Sequence, residues 1–225
     1  MPAIGQFDLE LFVRILPDLA YGALITLKFT TFSTLLGLVI GTVMGIFRIV
    51  RNFILNAIAI AYVEVIRGTP LLVQIMIVYY GLPAAGINLP PDIAGIIALG
   101  INSGAYIAEV IRAGILSVPK GQMEAARSLG MTYLQAMRYV VLPQAFRNIL
   151  PALGNEFIAL LKDSSLLSVI AIAELTRTGM QIYAVTFNAW TPLLGVAMFY
   201  LMMTLPLSKL VNYMQRRIGG EHVHT

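Results

Sequence analysis

Long apolar runs, separated by short charged or glycine- and proline-containing segments, make up most of the chain. The runs cover residues 21–47, 53–82, 93–116, 149–172 and 178–208. Each is long enough for a helix that spans a bilayer, which needs about 20 residues. None shows the period-2 alternation that is typical of membrane β-barrel strands. The pattern therefore predicts an all-α integral membrane protein with about five transmembrane helices.

The composition agrees with a membrane location. Hydrophobic residues make up 58% and charged residues 12% of the 225 positions, and the mean hydropathy is +0.82. Soluble proteins carry about 25% charged residues, so an ordinary soluble domain is excluded. We expect one membrane domain over residues 1–217 and a short tail at 218–225. The chain has no cysteine, and both histidines, His222 and His224, lie in this tail, so we expect no metal site.

Lysine and arginine residues indicate how the chain is oriented. Those near the ends of the first, third and fifth apolar runs, and in the segments that follow, are Arg48, Arg51, Arg112, Lys120, Arg127, Arg138, Arg147, Lys209, Arg216 and Arg217. The opposite segments carry only Arg14 and Arg177. Basic residues accumulate on the cytoplasmic side of membrane proteins. We therefore expect the N-terminus outside, and the C-terminus and the segment around 117–147 in the cytoplasm. Because the basic residues are scattered, no nucleic acid partner is expected.

Three glycines in the first apolar run are spaced four residues apart, at Gly37, Gly41 and Gly45. Small residues at this spacing lie on one helix face and allow a second helix to approach closely. We expect them to form a packing surface.

The most polar stretch is an insert at residues 117–143, which predicts two short cytoplasmic helices. Ser117 is a candidate cap for the first helix, and Gly130 is suited to end it because glycine tolerates the left-handed conformation. Thr132 and Gln135 have the spacing of a capping box for the second helix, and Pro143 is expected to limit its end. Connections between helices usually span about 2–8 residues, so an insert of this length favours a docking element.

The insert resembles a known motif. Glu124, Ala125, Ala126 and Gly130, followed by Leu142-Pro143, are similar to the EAA loop in permease subunits of ATP-binding-cassette (ABC) importers. Further stretches resemble the polar amino acid uptake branch of these permeases: RGTPLLVQ at 67–74, NSGAYIAEVIRAG at 102–114, LPQAFRNILPALGN at 142–155 and LLKDSSL at 160–166.

The resemblance implies a transport subunit of a type I importer in the bacterial cytoplasmic (inner) membrane, surrounded by lipid. It implies that Glu124, Ala125, Ala126, Arg127 and Gly130 contact a cytoplasmic ABC ATPase, present in two copies, on which ATP and Mg²⁺ are bound. It also implies a second permease subunit, which is a copy or a relative of this chain, and an extracytoplasmic amino-acid-binding protein. The mechanism implied is alternating access.

Several sequence motifs are missing from the chain. It contains no G-x-x-x-x-G-K-[ST] phosphate-binding loop, so ATP hydrolysis must come from a separate chain. The H-E-x-x-H and G-x-S-x-G motifs of common hydrolases are also missing. We therefore expect no enzymatic activity and no cofactor on this chain.

Polar residues within the apolar runs are the candidates for substrate binding. Glu156 and Asp163 are seven residues apart, as are Asn102 and Glu109, and Arg67 and Gln74. This spacing places each pair on one helix face, two turns apart. Because ionisable groups in a bilayer are costly, function is the default hypothesis. The candidate set is Glu156, Asp163, Asn102, Ser103, Glu109, Ser164, Arg67 and Gln74. For two i, i+3 pairs, Glu64–Arg67 and Glu109–Arg112, mutual neutralisation is the favoured interpretation.

The nature of the substrate stays open at the level of sequence. Acidic residues exceed basic ones in the late apolar runs, which favours a basic amino acid: arginine, lysine or histidine. A glutamine or glutamate substrate is the alternative within the same kind of importer. A further alternative is a carrier driven by protons or sodium, with Glu156 or Asp163 as the titrating group. Such carriers commonly have internal repeats, and the sequence shows none.

Overall fold

Helices account for all regular secondary structure over residues 6–218, which the computed structural model describes. The helices are α1 (Leu9–Phe47), α2 (Phe53–Arg67), α3 (Leu71–Met76), α4 (Pro91–Leu116), α5 (Lys120–Ser128), α6 (Tyr133–Ala136), α7 (Leu142–Asp163), α8 (Leu175–Thr186) and α9 (Trp190–Ile218). Turns of π-helix follow α3 at Ile77–Gly81 and α6 at Met137–Val141, and 3-10 turns lie at Leu82–Ala85 and Ser164–Ile170. The tail after residue 218, with His222 and His224, lies outside the described residues.

Fewer than five helices of the described residues are both long and apolar enough to be recognised as spans by length and hydropathy alone. Within residues 6–218, α1, α4 and α9 are long and apolar enough. A fourth candidate is the pair Phe53–Arg67 and Leu71–Ala85, which is bent by 102°. Helix α7 is 22 residues long but carries charged and polar residues along its length, so it does not meet the same criterion. The count of five spans and the orientation therefore stay predictions.

The helices differ from the predicted apolar runs in several places. Helix α1 begins at Leu9 and not near residue 21, because the Asp8 side chain accepts a hydrogen bond from the Leu11 backbone N–H at 3.0 Å and caps it. The run at 53–82 breaks at residues 68–70, where Pro70 precedes α3. The run at 178–208 is divided between α8 and α9, because Phe187 adopts a left-handed conformation with φ of 55°.

The start and the end of the insert also differ from the prediction. Ser117 ends α4 and does not cap α5, since its hydroxyl donates to the Gly114 carbonyl at 2.8 Å. The first insert helix begins after Pro119 without a side-chain cap. Pro143 ends no helix: it occupies the first turn of α7, where a missing N–H is tolerated. The second insert helix therefore continues through a π-turn into α7.

The centre of the insert matches the prediction. Gly130 has a φ of +86°, in the left-handed region that glycine adopts without strain. Thr132 and Gln135 form the capping box, with the Gln135 backbone N–H donating to Thr132 Oγ1 at 3.3 Å and the Thr132 backbone N–H donating to Gln135 Oε1 at 2.8 Å. Sequence chemistry alone therefore identified the turn between α5 and α6.

Helix α4 packs closely against α1 through the predicted glycine face. Gly37, Gly41 and Gly45 are all buried. A Cβ atom at Gly41 would lie 2.6 Å from Ile107 Cβ and 2.8 Å from the Gly104 carbonyl oxygen, and one at Gly37 would lie 2.8 Å from Ser103 Oγ. Small residues on α1 therefore position α4, the helix that carries Asn102 and Ser103.

We expect Gly41→Ala to destabilise the protein by about 1–3 kcal/mol, because the added methyl group would force apart two packed helix backbones. The measurement is the apparent melting temperature of the purified chain in detergent. The control is Gly81→Ala, where the added Cβ would meet its nearest neighbour at an ordinary 3.7 Å. Equal melting temperatures for the two variants would contradict close packing at Gly41.

Candidate functional site

A cleft of about 180 Å³ lies between α4 and α7. It is lined by residues of α4 (Asn102, Ser103, Tyr106) and of α7 (Glu156, Ala159, Leu160, Asp163). The lining positions on α7 are spaced three, four and seven residues apart, so they form one face of the helix. Two carboxylates predicted to share a face, Glu156 and Asp163, therefore meet two polar side chains of a second helix. Glu156 is half-buried and Asp163 is exposed.

A cation lies at the border of this cleft. The Arg67 guanidinium carbon is 5.1 Å from the centre of the Tyr106 ring, within range of a cation–π interaction. No ion pair joins Arg67 to Glu64 in the described part of the chain, so the predicted pairing of these two residues is wrong. Tyr106 was not among the residues predicted from the sequence to bind substrate, although it lies one helical turn from Asn102.

Gln74 belongs to a hydrogen-bond network behind the cleft and does not line it. Its Nε2 atom, which carries two N–H bonds, lies within hydrogen-bond distance of three acceptors: the backbone carbonyl oxygens of Ile66 at 2.7 Å and Thr69 at 3.1 Å, and Thr69 Oγ1 at 2.8 Å. Its Oε1 atom accepts a hydrogen bond of 2.9 Å from Asn102 Nδ2. Gln74 thus connects the bend between α2 and α3 to α4.

Two further candidates, Glu109 and Ser164, have partners outside the cleft. The Arg112 Nε atom donates to Glu109 at 3.0 Å, and Arg48 Nη2 lies 3.8 Å from Glu109 Oε2. The predicted Glu109–Arg112 pair is therefore confirmed. Ser164 is fully buried, and its hydroxyl donates to the Leu161 carbonyl at 2.8 Å. Neither Glu109 nor Ser164 is among the lining residues.

The EAA-like segment on α5 presents a mostly exposed surface. Glu124, Ala125, Arg127 and Gly130 are exposed, whereas Ala126 is buried at 4% exposure. The apolar side chains of the adjoining turn and α6, those of Leu129, Tyr133 and Leu134, are also exposed. A helix with such an exposed surface is suited to contact another protein.

Sequence reasoning missed a buried polar cluster around Glu174. This side chain is fully buried and caps α8 by accepting hydrogen bonds from the backbone N–H groups of Thr176 at 2.8 Å and Arg177 at 2.7 Å. The Tyr200 hydroxyl donates to the same carboxylate at 3.2 Å. All of these contacts are internal, so the cluster joins α8 to α9. An acidic residue directly before a helical pattern was the available sequence signal.

Comparison with known proteins establishes the family. Residues 37–220 match the family described as "Binding-protein-dependent transport system inner membrane component". The chain belongs to this family. It is a permease of the type I ABC importer class and a protein of the inner membrane.

Relatives with assigned names are amino acid permeases. The chain is 43% identical to "Glutamine transport system permease protein GlnP" of Escherichia coli K12, covering 95% of this chain and 98% of the relative. It is 40% identical to "Arginine transport system permease protein ArtQ" of Bacillus subtilis 168, again covering 95% and 98%. This chain is therefore the permease subunit of an amino acid ABC importer, in which the ATPase is a separate chain.

Solved structures agree with this assignment. The structure titled "Crystal structure of an amino acid ABC transporter with histidines" superposes with a TM-score of 0.90 at 47% identity, covering 94% of this chain and 99% of that one. An inward-facing structure of the MetNI methionine ABC transporter has a TM-score of 0.73 at 23% identity, covering 90% and 99%, and shows the shared fold. The carrier driven by protons or sodium, left open by the sequence, is not retained.

Proposed function

We propose that this permease subunit translocates basic amino acids through the cleft between α4 and α7. The observation that carries the proposal is that Glu156 and Asp163 line one cleft together with Asn102 and Ser103. An amino acid with a cationic side chain carries two positive groups and one carboxylate. The cleft offers two carboxylates and polar oxygens, and Arg67 at its border supplies one cation. Charge-assisted hydrogen bonds of this kind are about twice as strong as neutral ones.

Two relatives support this substrate class. ArtQ of Bacillus subtilis is named for arginine, and the structure at 47% identity is titled as holding histidines. Glutamine is the second candidate, because GlnP of Escherichia coli is named for glutamine at 43% identity, and an amide side chain can also bind to carboxylates and to an asparagine.

The proposed transport cycle is alternating access powered by a separate ATPase. Two ATPase subunits bind ATP and Mg²⁺, and their approach moves the α5 segment, with Glu124, Ala125, Ala126, Arg127 and Gly130 at the contact. A second permease subunit, a copy or a relative of this chain, completes the pathway. An extracytoplasmic binding protein delivers the amino acid. This chain performs no covalent chemistry, so its residues position the substrate.

The decisive experiment is a substrate panel on the reconstituted importer, in which this chain is co-expressed with candidate ATPase subunits and binding proteins. We expect arginine, lysine and histidine to stimulate ATP hydrolysis more than glutamine or glutamate does. The binding step is then measured with purified importer and no binding protein, so that selectivity of the permease is separated from selectivity of the binding protein. Stimulation by glutamine alone would overturn the basic preference and favour the second candidate.

A further inference from the structure

The side-chain amide of Gln74 can adopt only one orientation. Its Nε2 atom contacts the carbonyl oxygens of Ile66 and Thr69, which only accept hydrogen bonds. It also contacts Thr69 Oγ1, whose proton is donated to the Val65 carbonyl at 2.9 Å, so that this oxygen accepts as well. Turning the amide over would place Oε1 against three acceptors. Gln74 is only 8% exposed, and a buried polar group without a partner costs about 1–3 kcal/mol.

The fixed orientation of Gln74 determines that of Asn102. Gln74 must present Oε1 to α4, and an oxygen there requires a donor. Asn102 supplies it with Nδ2, at 2.9 Å. The Oδ1 atom at the other end of the Asn102 amide accepts no hydrogen bond from residues 6–218, and it is not fully buried. Because Asn102 lines the cleft, the cleft is where this oxygen is accessible.

We infer that Gln74 is a specificity-determining residue which acts through Asn102 and does not touch the substrate. It holds the Asn102 amide with Oδ1 towards the cleft, so that Asn102 adds a third acceptor to the carboxylates of Glu156 and Asp163. An asparagine that is free to turn would offer its N–H groups equally well and would bind anions and neutral amides. The proposed function is presupposed here, because Gln74 matters for cations only if the cleft binds them.

This mechanism is tested by the direction in which Gln74→Leu changes the affinity for arginine, measured once in the unsubstituted chain and once in the Asn102→Asp variant. The quantity is the dissociation constant of radiolabelled L-arginine for the purified importer complex in lipid nanodiscs, without binding protein. In the background with Asn102, we expect Gln74→Leu to weaken arginine binding about ten-fold, since the cleft loses one oriented hydrogen bond. In the background with Asn102→Asp, we expect Gln74→Leu to strengthen it. A carboxylate presents an oxygen whichever way it turns, and the substitution removes the Gln74 Oε1 atom that would otherwise repel that carboxylate.

A merely structural role for Gln74 predicts weakening in both backgrounds, and that result would overturn the inference. So would unchanged binding for Gln74→Leu. Gln181→Leu, at an exposed glutamine on α8, is the matched control and should leave the dissociation constant unchanged. If Gln74→Leu does not assemble, Gln74→Met is measured in the same two backgrounds. Failure of the proposed function is recognised separately, because the unsubstituted complex would then not bind arginine, or would bind it with no dependence on Glu156.

Discussion

Replacing Glu156 by glutamine is expected to weaken arginine binding by the importer about 30–100-fold, and to reduce arginine-stimulated ATP hydrolysis accordingly. Glu156 is half-buried between α4 and α7, so its charge is less screened than that of a surface carboxylate. Removing one partner of a buried, hydrogen-bonded charge pair costs about 2–5 kcal/mol, and partial exposure favours the lower end. Asp163→Asn should have a smaller effect because Asp163 is exposed.

The measurement is the dissociation constant of arginine for the reconstituted complex, followed by the concentration of arginine that gives half-maximal ATPase stimulation. Glu64→Gln is the matched control, because this glutamate of α2 is exposed and makes no ion pair in the part of the chain that the structure describes. The Glu64→Gln variant should bind arginine with the same dissociation constant as the unsubstituted protein. If Glu156→Gln binds arginine as tightly as Glu64→Gln, Glu156 is not a substrate ligand.

Reversing the charge of Glu124 is expected to separate the permease from its ATPase. Glu124 is exposed on α5, and the segment that follows α5 exposes the apolar side chains of Leu129 and Leu134. In the proposed complex this surface lies against the ATPase, and the Glu124 carboxylate accepts hydrogen bonds from backbone or arginine donors of that partner. An arginine in its place would lose these bonds and repel such a cation, and like charges placed together cost several kcal/mol. We expect Glu124→Arg to reduce the amount of ATPase that co-purifies with a tag on this chain by at least about ten-fold, with a matching loss of stimulated hydrolysis.

Glu10→Arg is the matched control, since Glu10 is also exposed but lies at the start of α1, far from α5 along the chain. The amount of ATPase that co-purifies with the Glu10→Arg variant should be unchanged. Arginine binding by the Glu124→Arg chain, measured without ATPase, reports whether the cleft is intact. Full co-purification of the ATPase with Glu124→Arg would exclude Glu124 from the coupling contact, whatever the result for Glu156.

Local sequence chemistry determined several features before any packing was known. Thr132 and Gln135 are three residues apart, so their capping box depends only on the adjacent backbone. Gly130 follows α5 in the left-handed conformation, which depends only on glycine having no side chain. The seven-residue spacing of Glu156 and Asp163 placed both carboxylates on one face of α7, since helical periodicity requires no knowledge of the neighbouring helix. The apolar runs likewise established that the chain is a membrane protein.

Tertiary structure decided which of the polar faces meet. The same seven-residue spacing separates Asn102 from Glu109, yet Glu109 pairs with Arg112 and Arg48. Arg67 and Gln74 have this spacing too, but the helix face predicted for them is wrong, because Arg67 ends α2 and Gln74 lies on α3, beyond the break at residues 68–70. Spacing along a helix shows which side chains share a face, but the neighbour of that face depends on the rotation and crossing of two helices. The close approach of α4 to the glycines of α1, and the 102° bend between α2 and the segment that follows, set those angles. They arise from contacts between residues far apart in the chain, and a single sequence does not contain them.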